Sequence, residues 1–549
     1  MFRLFAVAPW RLALLASAFI VAVNNSQLFR TLFGLLDLTE PAELGFLLCL
    51  VLLMVAILNA FILAFGIGPL LKGVIAVFLI SSAAMGYFVN ELGVVVDQGM
   101  LTNIADTVRE RNFDEARELA STPFMFHILW FGILPSVVLL FIHLRPRHSM
   151  LELRDRAIVI AASAILVISV GFSNYRYVTY FAVEHRDLRF QVMPIFPMLS
   201  MVKSIRDNLQ EDLVFVAVGS DAKQQKAGPK RTVGIMVVGE TARADRFSLN
   251  GYSRATNPEL SMEEGVLFLD ADACGTSTAY SVPCMFYLDG RDSYDPVMAA
   301  ARSNVLDVLT TAGVKTVWID NNSTCKHVCD RIENENLRIR PDGSKQKDGD
   351  YDINLVDAAE RHFDSGDADV MIVLHMMGSH GPAYSQRYPS EFALFSPYCE
   401  KLSPKECSKE EVGNAYDNSI VYTDYVIAEL IASLKRHSEE FDSFLFYASD
   451  HGESLGENGV YLHGLPYRAA PPAQTDVPFV LWLSAEYTTH TGVQIGDAAW
   501  GAPRRPSHDN IPHTLLGLFG VSTASYRPES DLLANKRSDL RAFAARTTT

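Results

Sequence analysis

Five runs of apolar sequence fill the first 180 residues, and each is close to the roughly 20 residues that a helix needs to cross a bilayer core. They cover 11–36, 44–65, 70–89, 124–144 and 157–172. The pattern predicts a membrane domain of five helices over 1–180. Asn24, Asn25, Gln27 and Arg30 interrupt the first run. Polar groups within a span find partners inside a bundle, so Asn24 and Asn25 are expected to face its interior. A cleavable signal sequence is the competing reading, because Ala16-Ser17-Ala18 resembles a cleavage site. The apolar stretch before it, 12–15, is too short for that role, and apolar sequence continues beyond it.

Basic residues in short loops set the orientation of such a bundle. Arg3 and Arg11 precede the first run, Lys72 opens the third, and Arg145, Arg147, Arg154 and Arg156 lie between the fourth and fifth. Acidic residues mark the alternate loops: Asp37, Glu40 and Glu43, then Glu91, Asp97 and Asp106. Five crossings from a cytoplasmic N-terminus leave the remainder of the chain outside the cytoplasm.

Charge divides the chain in the same way. Twelve basic and twelve acidic residues fall within 1–180, so the whole net charge of −16 lies downstream. An acidic domain repels phosphate backbones, which argues against nucleic-acid binding. The 49% hydrophobic content excludes a disordered chain. Six of the seven cysteines lie in the downstream part, in close pairs: Cys274 with Cys284, Cys325 with Cys329, and Cys399 with Cys407. Six cysteines allow 15 connectivities, and pairing by proximity is the expectation. Disulfides in turn suit an oxidising compartment. Residues 181–231 read as an interfacial segment and linker. Tyr175, Tyr177, Tyr180 and Phe181 lead into it, and its end is polar.

From 232 to 549, short apolar runs alternate with helical patterns. The runs 233–238, 316–319, 370–374, 444–447 and 479–482 have the character of buried strands, which predicts an α/β domain with a mainly parallel sheet. Ligands in such sheets bind beyond the carboxyl ends of strands. Gly239-Glu240 directly follows the first run, and Ser449-Asp450-His451-Gly452 follows the fourth. Carboxylate and imidazole donors without thiolate suit zinc or manganese. The segment Cys274-Gly275-Thr276-Ser277-Thr278-Ala279-Tyr280-Ser281 offers hydroxyls at the start of a helix, where backbone N–H groups favour an anion. A hydroxyl beside a divalent cation there can act as a nucleophile. The residue types leave open which one does. His380 and His463, in loops after strands, are candidates to hold a second metal, bind phosphate or protonate a leaving group.

Taken together, VVGETARADRFSLNGYSRATNP, CGTSTAYSVPCMF, NNSTCKHVCD, LHMMGSHGPAY, NAYDNSIVYTD and SDHGESLGENGVYLHG closely resemble the phosphoethanolamine transferases that modify lipid A, a group that includes mobile colistin-resistance enzymes. The resemblance spans nearly the whole chain. It implies a Gram-negative inner-membrane protein with a periplasmic domain of sulfatase or alkaline-phosphatase type. It also implies that Glu240, Thr278, Asp450 and His451 bind zinc, with room for a second ion, and that Thr278 is the nucleophile. Asn322, Ser323, Lys326, His380 and His463 would line the substrate-phosphate site, and Asn103 and Thr107 would meet the donor headgroup. The sequence departs from the family at Arg111, where an acidic residue is expected. It departs again at Met376 and Ser379, where relatives commonly show Gln and Asn. The implied reaction moves phosphoethanolamine from phosphatidylethanolamine to a lipid A phosphate, lowering surface negative charge and weakening polymyxin binding. A monomer working at the bilayer is expected.

Three other readings compete. One is transfer to a lipopolysaccharide core sugar or another periplasmic glycan. Another is a membrane-anchored phosphatase or sulfatase, although 281–285 lacks the Arg of a Cys/Ser-x-Pro-x-Arg sulfatase segment. The last is a non-catalytic receptor that retains the fold.

Overall fold

The computed structural model describes residues 6–36, 38–68, 70–96, 100, 120–145, 149–173, 186–208, 214–226, 228–322, 324–338, 351–364, 366–493, 495 and 505–534. The described residues up to Asn208 form one compact unit, and those from 214 onward form another.

The first unit is helical. Helix α1 (Pro9–Asn24) and helix α2 (Ser26–Leu35) meet at a 66° bend inside the first apolar run. A break of this kind exposes backbone groups that hydrocarbon cannot satisfy, so side chains must do it. Asn25 Nδ2 donates to Val21 O at 3.0 Å and to Met193 O at 3.0 Å, and Asn25 Oδ1 accepts from Met193 N at 2.8 Å. Asn90 Nδ2 donates to Asn24 O at 3.0 Å, while its Oδ1 accepts from Gln27 N at 3.0 Å. The asparagines therefore stabilise the break rather than interrupt the bundle. Asn24 and Asn25 are both fully buried.

Helix α3 (Pro41–Phe65), helix α4 (Leu70–Tyr87, continued to Leu92 by a wider turn), helix α5 (Thr122–Phe141) and helix α6 (Ser149–Ser173) complete the main bundle. Three of these helices are long and apolar enough to cross a membrane, and the bent α1–α2 pair counts as a fourth if it forms one span. Their outward faces carry large apolar side chains, including Leu48, Leu52, Val77, Trp130 and Leu140, as a lipid-facing surface requires. Arg156, read from sequence as a loop charge, lies within α6 and is buried. Its guanidinium donates to Leu63 O at 3.0 Å and to Gly66 O, satisfying carbonyls at the end of α3, while Glu152 holds its other edge.

Seven strands form the main sheet of the second unit. In chain order they are β1 (Arg231–Gly239), β2 (Val266–Asp272), β3 (Lys315–Asp320), β4 (Glu333–Asn336), β5 (Val370–His375), β6 (Phe441–Ser449) and β7 (Asp476–Leu483). Their spatial order is β2-β7-β6-β1-β5-β3-β4. The sheet is mixed. The pairings from β6 through β1, β5 and β3 to β4 are parallel, whereas β7 runs antiparallel to both β6 and β2. A strand buried on both faces shows the same apolar run in either direction, so residues 479–482 carried no sign of this reversal.

Alternate residues of β1 enter two cores. Met236 and Val238 pack with Val282, Leu309 and Leu515 on one face, and Ile235 and Val237 pack with Leu355, Ile420 and Ile427 on the other. The described residues of 181–231 fall in both units. Helix α7 (Ile195–Asn208) belongs to the first unit, while Lys223–Gln224 pairs with Val521–Ser522 in the second. Register decides where chemistry can sit. Gly239 pairs with Ser449, Val238 with His375, and Asp320 with His375. Four parallel strands thus end at one edge and deliver Glu240, Asp320, His375 and Asp450 to it.

Candidate metal centre and nucleophile

Glu240 leaves β1 and Asp450 with His451 leaves β6, which brings their ligand atoms within 4.8 Å of one another, all buried. His451 Nε2 lies 3.5 Å from Glu240 Oε1 and 3.3 Å from Asp450 Oδ2. The backbone prepares each group. Asp450 Oδ1 accepts from Thr241 N at 3.2 Å and His451 N at 2.7 Å, while buried Oδ2 has no hydrogen-bond partner. His451 Nδ1 donates to Gly452 O at 2.9 Å, which selects the tautomer whose Nε2 lone pair faces the carboxylates. Thr241 holds a left-handed φ of 54°, kept in place by Tyr416, whose hydroxyl donates to Thr241 O at 2.6 Å.

Electrostatics favour a cation here. Burial, then repulsion from Asp450, raises the Glu240 pKa well above the usual carboxylate range, and burial raises that of Asp450. Burial lowers the pKa of His451, keeping it neutral. Two buried carboxylates, a neutral imidazole and an unpartnered oxygen fit a divalent metal, which would neutralise the first pair and occupy the last.

Thr278 begins helix α8 (Thr278–Met285), whose capping residue Ser277 leaves the helix N–H groups without a side-chain cap. Thr278 Oγ1 lies 3.2 and 3.4 Å from the two Glu240 oxygens and 3.4 Å from His451 Nε2. Two nearby hydroxyls have other partners. Thr276 Oγ1 donates to Leu465 O at 2.6 Å, and Ser281 Oγ donates to Asp450 O at 2.5 Å.

The two loop histidines are adjacent. The His463 ring centroid lies 4.3 Å from that of His451 and 5.7 Å from that of His380. His463 Nδ1 donates to Glu453 Oε2 at 2.7 Å, and Tyr384 OH donates to the other Glu453 oxygen at 2.7 Å. Burial, then the charge of Arg387, lowers the pKa of His380 well below its usual value. Asn322 stands beside the cluster. Its Nδ2 donates to Glu240 Oε2 at 2.8 Å and to Met376 O at 2.9 Å, supporting the ligand set. Lys326 is half-buried in the loop between Cys325 and Cys329 and has a left-handed φ of 47°. Ser323, Asn103 and Thr107 lie outside the described residues. The six downstream cysteines form the three pairs expected from proximity, with Cα–Cα separations of 6.1, 5.8 and 5.8 Å.

Sequence reasoning missed Glu453, Tyr384, Asp352 and the Asp320–His375 pair. Asp352 accepts from Met377 N at 2.9 Å and Gly378 N at 2.8 Å, shaping the loop that carries His380. His375 Nδ1 lies 3.0 Å from Asp320 Oδ2, buried below the same edge. Both end their strands, so the strand-end rule that singled out Glu240 could have found them too.

The α/β core with its strand-end carboxylates and hydroxyl-bearing helix start defines a sulfatase-type catalytic domain, and residues 233–521 match the Sulfatase family model. Residues 54–209 match the model described as Phosphoethanolamine transferase EptA/EptB. The chain is 35% identical over 534 residues to phosphoethanolamine transferase EptA of Escherichia coli K12, covering 95% of this chain and 96% of that one. It is 36% identical over 534 residues to phosphatidylethanolamine transferase Mcr-1 of Escherichia coli, covering 94% and 96%. Among solved structures, the integral membrane lipooligosaccharide phosphoethanolamine transferase A of Neisseria meningitidis superposes with a TM-score of 0.89 at 29% identity, covering 96% and 98%. The chain belongs to the phosphoethanolamine transferase family.

Proposed function

We propose that the protein transfers phosphoethanolamine from phosphatidylethanolamine to a phosphate of lipid A through a phosphoethanolamine–Thr278 intermediate. The observation that carries this reading is the position of Thr278 Oγ1, 3.2–3.4 Å from both Glu240 and His451, in a chain similar along its whole length to transferases of this group.

Glu240, Thr278, Asp450 and His451 would hold a zinc ion, which when bound supplies the Lewis acidity that lowers the pKa of a coordinated hydroxyl. In the first half-reaction Thr278 Oγ attacks the phosphorus of the donor as its hydroxyl proton passes to His463. The bond from phosphorus to the diacylglycerol oxygen breaks, and that oxygen takes up a proton. His463, whose Nδ1 donates to Glu453 Oε2, suits this relay, taking the Thr278 proton and returning it to that oxygen. In the second half-reaction a lipid A phosphate oxygen gives up its proton and attacks the same phosphorus, and that proton is returned to Thr278 Oγ as it leaves. Lys326 and the uncapped amides of α8 would stabilise the negative phosphoryl oxygens during both steps. Each turnover adds an ammonium group to the acceptor, which reduces its net negative charge and its attraction for polymyxins.

The helical unit has a physical purpose in this scheme. Donor and acceptor are both lipids, and tethering at the bilayer keeps the catalytic domain at high effective concentration. Five crossings of the inner membrane with the second unit in the periplasm agree with the distribution of loop charges and with three disulfides.

Thr278→Ala tests the reading. With labelled phosphatidylethanolamine, the wild type should accumulate phosphoethanolamine on Thr278 and the variant should neither form the adduct nor modify lipid A. Transfer retained in the variant would remove Thr278 as nucleophile. Mass spectrometry of lipid A and core from expressing cells separates a lipid A acceptor from a core sugar.

A further inference from the structure

We propose that His508 is a positioning residue for this reaction, locking the segment that carries Thr278 to the strand end that carries Asp450 and His451. The proposal rests on the reading of Thr278 as nucleophile. His508 is buried and touches none of the reacting groups assigned above. Its backbone is anchored beside the end of β2, where Asp272 N donates to Pro506 O at 2.9 Å and His508 N donates to Asp272 O at 3.0 Å. Both ring nitrogens then join distant parts of the chain. Nδ1 accepts from Cys274 N at 2.9 Å, and Nε2 donates to Ser449 O at 2.9 Å. Cys274 opens the Thr278 segment, and Ser449 immediately precedes Asp450.

An imidazole suits this bridge because the neutral ring offers one acceptor and one donor on a rigid frame. Burial pushes the His508 pKa down to about 3, so the ring stays neutral. A protonated ring would set Nδ1–H against the Cys274 N–H. Phe479 stacks on the ring, 5.9 Å between centroids and 2° from parallel, restricting its rotation. Ser281 closes the circuit on the other side. Its hydroxyl donates to Asp450 O at 2.5 Å, accepts from Gly275 N at 3.2 Å, and lies 3.4 Å from His508 Nδ1. Thr278 sits inside this loop of bonds, so the loop determines how far its hydroxyl stands from Glu240 and His451.

The test separates the two bonds. His508→Asn keeps an acceptor near the Nδ1 position, and His508→Gln keeps a donor near the Nε2 position. A misplacement near 1 Å costs on the order of 100-fold in rate. Both variants of the full-length protein should therefore lower kcat, and the rate of Thr278 adduct formation, at least about tenfold, with KM for phosphatidylethanolamine nearly unchanged. His513→Asn is the control. His513 is equally buried and also bridges backbone, to Leu288 O at 3.1 Å and Arg527 N at 3.2 Å, away from the site. It should lower the melting temperature as much as the His508 variants while sparing kcat. Wild-type kcat in both His508 variants, or a kcat loss matched by His513→Asn at equal melting temperature, would overturn the proposal. Should neither His508 variant fold, Ser281→Ala opens the same circuit, and unchanged kcat there would equally overturn it. Thr278→Ala measured alongside keeps the two readings apart, because residual activity in that variant refutes the nucleophile and not the bridge.

Discussion

Replacing Asn322 by alanine should weaken the metal centre rather than substrate binding. Both hydrogens of its amide are committed, one to Glu240 Oε2 at 2.8 Å and one to Met376 O at 2.9 Å. The first bond opposes the burial that raises the Glu240 pKa. Without it, Glu240 retains its proton to higher pH, and the proton competes with the metal for the carboxylate. A hydrogen bond to a charged group is worth roughly 1.5–3 kcal/mol, which corresponds to about 10- to 100-fold in affinity. Similar losses, about 10- to 100-fold, follow when other supporting bonds to metal ligands are removed. Zinc affinity of the full-length protein, measured near neutral pH by competition with a chromophoric chelator, should fall by that factor in Asn322→Ala. The deficit should shrink as pH rises, because proton competition fades. A variant with wild-type zinc affinity at every pH and a raised KM for phosphatidylethanolamine would refute this reasoning and make Asn322 a substrate contact.

Three further outcomes are expected. Glu240 and Asp450 have raised folded-state pKa values in the metal-free protein, so their contribution to stability is fully present below the ordinary carboxylate range and is lost as pH rises through the folded values. Chelator-stripped protein should therefore melt at lower temperature as pH increases, with a limiting slope of about 1.4 kcal/mol per pH unit for one retained proton. Asp450→Asn should flatten that slope, and an identical slope in wild type and variant would contradict the assignment. Gly381→Ala places a Cβ 2.6 Å from Glu453 Oε1 and 3.0 Å from Tyr384 OH. Overpacking of this kind costs roughly 1–3 kcal/mol, and a lowered kcat is expected because Glu453 holds His463. A chain truncated to begin at Thr232 should melt below one that begins at Val214, since it loses the Lys223–Gln224 pairing and the bonds from Asp221 to Thr523 and Ala524. The longer truncated chain should keep activity on soluble donor analogues while losing transfer to lipid A in membranes.

The cluster that could hold a metal was legible because the rule about strand ends is local. An apolar run followed at once by Glu240, or by Asp450 and His451, reads the same before and after folding. The choice of Thr278 among four hydroxyls came from resemblance to a family, because spacing does not distinguish them. Thr276 and Ser281 have backbone partners, while the Thr278 hydroxyl faces the carboxylates. The bond from Asn322 to Glu240, 82 positions away, was not legible in the motif that carries Asn322.

By itself the sequence determined that the chain has an apolar helical part and an acidic α/β part, which cysteines would pair, and where along the chain the cluster that could hold a metal lies. Each of these depends on composition, periodicity or short spacing, which survive in the unfolded chain. Only the tertiary structure decided the antiparallel course of β7, the asparagine partners that stabilise the bend after Asn24, the hold of Glu453 on His463, and the bridge from His508 to Cys274 and Ser449. These depend on register and on contacts between distant segments, and a strand's alternation of side chains is identical for every partner and direction it could take.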